Sequence, residues 1–255
     1  MSIFKISLKN AFTYRSSVIF SIIGSAFNIL VLIALWKYIY SYDSEMMNYM
    51  ILYVIISNII GMFYSERMCE QIGRKVANGS FALELIRPVN FIYLGYMRMV
   101  GNIVANIIMR GIPVILLFSP LIIINADMVH WEFIGLFAVV VMLGHFLYTI
   151  LYALIGFMAF ICFEVWTFQR LLRDTIRFLS GSFIPIALFP DWLEKVSRYM
   201  PFRYLYSLPI QILLGETTDG VFASIGIMVL WIAVLVGVLA LLYRRAVNAF
   251  VVQGG

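Results

Sequence analysis

Six stretches of this chain are long and apolar enough to be read as crossing a lipid bilayer. A helix needs about 20 mostly apolar residues to span the hydrocarbon layer. The candidate spans are 18–39, 49–64, 91–124, 133–163, 171–189 and 221–243. They leave only short connections, so 1–255 reads as a single transmembrane domain without a soluble module. Composition agrees: 63% of the residues are hydrophobic and 12% charged, against about 45–50% and 25% in a soluble domain. A water-facing shell cannot be built from so few polar residues. The basic residues before the first run, and its ending in WKYIY without a small-residue cleavage site, predict a retained span.

Charge sets the expected orientation. With the N-terminus in the cytoplasm, the inner segments hold Lys5, Lys9, Arg15, Arg67, Arg74, Lys75, Arg87, Arg170, Arg173, Arg177, Arg244 and Arg245. The outer segments hold only Lys37, Lys195, Arg198 and Arg203. That asymmetry is the positive-inside pattern, and six crossings return the C-terminus to the cytoplasm. It also accounts for the net charge of +5 without invoking nucleic acid. Phe4, Leu8, Ala11 and Phe12 follow helical spacing, with Lys5 and Lys9 elsewhere on the helix. This predicts an N-terminal interfacial helix on the inner leaflet.

Residues 190–215 do not make a full span. Trp192, Val196 and Tyr199 share one helical face, Asp191 stands where an N-cap would help, and the next apolar run contains Pro209. Short helices re-entering or lying at the outer surface fit this pattern. The expected fold class is therefore an all-α integral membrane protein of six transmembrane helices with outer re-entrant helices between the last two.

Motifs for bond chemistry are missing. There is no GxxxxGK[ST], HExxH, GxSxG or GxGxxG. His130 and His145 lack metal-ligand spacing, and Cys69 and Cys162 form no CxxC. No catalytic or metal residue is expected, and no cofactor in this chain. His145 is placed to hydrogen-bond a neighbouring helix. The sequon at Asn78 falls on the inner side and reads as chance.

Charge inside a span is another matter. Arg98 lies near enough to the inner surface to snorkel. Arg110 lies deeper, at a cost of about 2.5–3.5 kcal/mol if unpaired at mid-bilayer. Asn102, Asn106 and Arg110 recur every four residues as one polar stripe, more favourably placed against protein than lipid. Three environments are open to Arg110: a polar pathway, an outer acid such as Glu132, or the outer surface.

The most informative connection is SERMCEQIGRKVANGSFALELIRPVN, residues 65–90. Glu66, Glu70 and Arg74 at i, i+4, i+8 predict that the second span continues as a helix. Asn78–Gly79 should break it, Ser80 should cap a short helix with Phe81, Leu83, Leu85 and Ile86 apolar and Glu84 exposed, and Pro88 should end it. An apolar-faced short helix at a surface either buries within its own chain or docks in a partner's groove.

Here the chain resembles permease subunits of ABC-2-type ATP-binding-cassette exporters, closest to a six-span subfamily linked to export of drugs and other hydrophobic cations. The likeness rests on VANGSFALELIRPVN, on SGSFIPIALFPDWLEKVSRYMPFRYLYSLPIQILLGE, and on the ending YRRAVNAFVVQGG. The resemblance implies a cytoplasmic coupling helix, with Asn78, Gly79, Phe81, Leu83, Leu85, Arg87 and Pro88 seated in a cleft of a separate ATPase subunit. That partner would bind ATP and Mg. It also implies an outer gate involving Phe183, Pro185, Phe189, Pro190, Trp192, Pro201 and Pro209. A second permease, identical or paralogous, would complete the pathway in a bacterial cell membrane. Arg110 departs from the more apolar third span usual for such proteins. Two other classes make different demands. A membrane assembly factor would lack substrate-stimulated ATPase activity in its complex, and an intramembrane lipid-modifying enzyme would need convergent acids that these scattered carboxylates do not supply.

Overall fold

The computed structural model describes residues 15–85, 91–162, 165–216 and 220–253. The expected interfacial helix at the N-terminus, together with Arg87 and Pro88, lies outside them. Among the described residues every regular element is helical.

The chain begins with an antiparallel pair, α1 (Arg15–Ile39) and α2 (Ser44–Gly61). Asp43 starts α2 by accepting a 2.9 Å hydrogen bond from the Met46 amide, an N-cap that satisfies one of the helix's orphan donors. Ile29, Ile33 and Trp36 of α1 interlock with Met50, Ile51, Val54 and Ile55 of α2 in one cluster.

The polypeptide turns at residues 62–66 and resumes as α3 (Arg67–Ala77). The second span and α3 are thus two helices, not the continuous one that the Glu66–Glu70–Arg74 spacing predicts. Local charge spacing is worth a few tenths of a kcal/mol, too little to outweigh the packing described below. Arg74 Nε in fact donates to the Glu70 carbonyl, not to its carboxylate (3.3 Å). Gly79 breaks the chain with φ +70°, a left-handed conformation suited to glycine. The Asn78 side chain accepts from both the Ser80 amide and its hydroxyl. The short α4 (Phe81–Leu85) follows.

The third candidate span is a single 34-residue helical run with a defect. It is built from α5 (Phe91–Asn106), one π-helical turn (Ile107–Gly111) and α6 (Ile112–Ile124). Pro113 lies just beyond that turn; it has no N–H, and its ring displaces the carbonyl four residues back, so the ladder is disturbed there. The fourth, α7 (Ile134–Phe157), is the central post of the molecule: half of its most apolar window is buried, against 17% or less in the other three long apolar helices. It packs against α3 on one side and against the last helix, α11 (Val221–Gln253), on another.

The fifth segment differs from the expected 171–189. It is an amphipathic helix, α8 (Trp166–Leu179), which starts five residues earlier and stops ten earlier. Gly181, at φ +82°, turns the chain, and Pro185 follows. A 3₁₀ turn (Ile186–Leu188), α9 (Asp191–Tyr199), a second 3₁₀ turn (Pro201–Tyr204) and α10 (Ser207–Leu213) complete the connection. Asp191 is the first residue of α9 rather than its cap, since Pro190 occupies that place. Trp192, Val196 and Tyr199 do share a face, and it is exposed. α10 by contrast is buried on nearly every side against α7 and α2.

Among the described residues four helices are long and apolar enough to cross a membrane: 16–39, 91–124, 131–160 and 221–245. The shorter α2 and the charged α8 fall outside that group.

Candidate functional site

A cavity of about 570 Å³ opens between α1, α2 and α8. Its α1 wall is a polar stripe, Ser21, Ser25 and Asn28, recurring at i, i+4, i+7 within an otherwise apolar helix. Leu32 extends that wall by one more turn. Eleven residues separate Ser21 from Leu32, about 16 Å of helix rise. The α2 wall presents Val54, Ser57 and Asn58. The Asn58 amide donates to the Asn28 side-chain carbonyl across the two helices (3.2 Å).

Arg173 and Arg177 form the α8 wall, one turn apart. Arg110 enters from the π turn and donates from Nε to Ser25 Oγ at 2.7 Å. Glu66 is the lone carboxylate among the lining residues, and it accepts from Gln169 (2.7 Å) and Arg173 (3.5 Å). Stacked tyrosines pave the adjoining side, with Tyr64 and Tyr148 at 4.8 Å and Tyr206 edge-on to Tyr64. At the other end the loop after α8 is sewn to α2. Tyr53 Oη donates to the Gly181 carbonyl and Ser57 Oγ to the Ser182 carbonyl (2.8 Å). Phe183 lines the cavity there, with the Arg177 guanidinium 5.9 Å from its ring centre.

The expected polar stripe thus separates. Arg110 faces the cavity; Asn102 and Asn106 do not line it. Asn102 donates to the Arg98 carbonyl on its own helix. Asn106 donates to the Met62 carbonyl (3.3 Å), while His145 Nδ1 meets the Phe63 carbonyl (2.9 Å). Both carbonyls belong to the break after α2. Glu132, weighed as a partner of Arg110, instead bonds His130 (3.0 Å).

A second feature lies at the Glu66 end of the molecule. α3 lays Met68, Cys69 and Ile72 on α7, so closely that a Cβ at Gly156 would come within 3.1 Å of the Cys69 Cα. From this base α4 projects. Phe81 is fully buried among the rings of Phe91, Phe157 and Phe160. Glu84 is buried too and forms a salt bridge with Lys75, which corrects the expectation that it is exposed. The cause is the tight Gly79 turn, which folds α4 back so that Glu84 faces α3. Leu83 points the other way and is 63% exposed. The side chain of Leu85 lies outside the described residues.

Of the expected gate residues, Phe183 alone lines the cavity. Pro185, Pro201 and Pro209 are buried in the connection between α8 and α11, and Phe189 stacks on Phe178 at 5.5 Å. Pro190 and Trp192 are exposed. Among the described residues no group of three His, Cys, Asp or Glu side chains could hold a metal ion. The cavity residues Ser21, Ser25, Asn28, Arg173 and Arg177 were missed as site residues, although polar side chains at helical spacing in an apolar run were a readable signal.

Long apolar helices around a polar cavity, with a helical hairpin carrying an exposed leucine at one end, suit a membrane transport protein. A family profile described as ABC-2 family transporter protein matches residues 20–254, and the chain belongs to that family. It is a membrane protein with a transport permease role. No curated protein and no solved structure matches it.

Proposed function

We propose that this chain is the transmembrane subunit of an ATP-driven exporter and is moved by a separate ATPase subunit. The observation that carries the reading is the division of α4: Phe81 locked into the helical core, Leu83 turned outward. A force applied at Leu83 reaches α5 and α7 through the rings around Phe81 and reaches α3 through Lys75–Glu84. The cavity lined by Arg110 is the pathway, and Phe183 sits at its outer closure.

In this reading α2 and the α8 segment complete six crossings, and both termini face the cytoplasm. Trp231 Nε1 donates to the Tyr199 carbonyl at 3.1 Å. Trp231 lies ten residues into α11, about 15 Å from its start, or half the thickness of a bilayer core. That depth supports re-entry of α9 from the outer side. The sparse burial of α1 and α11 supports contact with lipid and with a second permease, identical or paralogous. ATP and Mg belong to the partner ATPase.

The test is co-purification. Leu83→Asp places a charge on the docking surface without touching the core, so the chain is expected to insert at wild-type yield and to lose its ATPase subunit. A Leu83→Asp chain that retains the ATPase at wild-type stoichiometry would overturn the coupling role of α4.

A further inference from the structure

We propose that the cavity between α1, α2 and α8 binds an amphiphilic anion, an organic carboxylate or phosphate with an apolar body. The inference rests on the cavity being the pathway and names the class of its occupant. Three arginines line the cavity against one carboxylate. Glu66 is already engaged by Arg173 and Gln169. Among the described residues neither Arg110 nor Arg177 has a carboxylate partner: Arg110 uses Nε on the Ser25 hydroxyl, and Arg177 lies over the Phe183 ring.

A half-buried guanidinium such as that of Arg110 is unfavourable unless something neutralises it, and the exposed Arg177 adds a second positive charge at the cavity. An anion does so with forked hydrogen bonds that suit carboxylate and phosphate oxygens. The neutral donors of Asn28 and Asn58 border the same space. Leu32 and Val54, packed in one cluster, and Phe183 add apolar lining that suits an apolar body. The hydrophobic cation that the sequence resemblance implies would meet like charge here, with its one potential counter-ion occupied.

The experiment uses the full chain in phosphatidylcholine nanodiscs without any ATPase, so it can fail independently of the coupling test. Saturation binding is measured with radiolabelled octyl phosphate and with octyltrimethylammonium, matched in chain length and opposite in charge. Octyl phosphate is expected to bind saturably, and Arg110→Gln and Arg177→Gln each to weaken it by about tenfold, the scale of losing one charged hydrogen bond. Arg110→Lys, which keeps the charge, retains most of the affinity and shows that the fold tolerates change there. Phosphatidylglycerol added to the nanodisc competes if the anion is a lipid headgroup and does not if it is a solute; both results support an anion site. Equal or tighter saturable binding of octyltrimethylammonium, or octyl phosphate affinity unchanged in both glutamine variants, would overturn the proposal.

Discussion

The carbonyls of Met62 and Phe63 explain what Asn106 and His145 do. A chain break leaves backbone acceptors without helical partners, and apolar surroundings offer none. Asn106 donates to the first, and His145 Nδ1, written as the N–H tautomer, donates to the second. From sequence, Asn106 read as part of a pathway stripe because spacing reveals a shared face but not what that face meets. His145 was legible as an interhelical hydrogen-bonder; its partner was not, since the break itself was hidden by helix-forming charges at residues 66–74. Asn106→Leu and His145→Leu are each expected to destabilise the chain by about 1–3 kcal/mol, the cost of a buried unpaired acceptor. The two losses should not add simply, because both act on one turn. Thermal unfolding in nanodiscs by intrinsic fluorescence measures this, and His145→Gln, which keeps a donor, should recover part of the loss.

At the scale of elements, the coupling reading rests on the α3–α4 hairpin. Its turn was readable from Asn78–Gly79, and the short helix from the apolar residues that follow. Which of those residues faced inward was not, because five residues give too little periodicity to fix a face. Phe81 is decided by the aromatic rings of distant elements, and Glu84 by Lys75 across the turn. The whole hairpin depends on the close approach of α3 to Gly156, where a Cβ would lie 3.0 Å from the Ile72 Cβ. Gly156→Leu is expected to lift α3 from α7, overpacking that costs about 1–3 kcal/mol. Hydrogen exchange should quicken across 67–77 while the α1–α2 pair keeps its protection. The α8 segment carries the reverse lesson. Its apolar residues suggested a span to 189, but Gly181 ends the helix, and Arg173 and Arg177, counted in sequence among the inner-side charges, line the cavity.

Across the whole molecule, one central helix organises two sites at different places: a polar cavity beside α1, α2 and α8, and an exposed leucine beyond α3. The membrane character and the family were plain in the apolar runs and in the motifs at 76–90 and 180–216. The cavity was not, because it is assembled from single polar residues on three helices far apart in sequence. In the proposed function, ATP hydrolysis in a partner would move α4 and, through α5 and α7, the Arg110 and Tyr148 that line the cavity. The most direct test is the rate of vanadate-sensitive ATP hydrolysis by the complex purified through this chain and reconstituted in nanodiscs. Wild-type preparations should hydrolyse ATP, and Leu83→Asp preparations with equal amounts of the chain should fall to background. A wild-type complex without ATPase activity, or hydrolysis undiminished in Leu83→Asp, would contradict it.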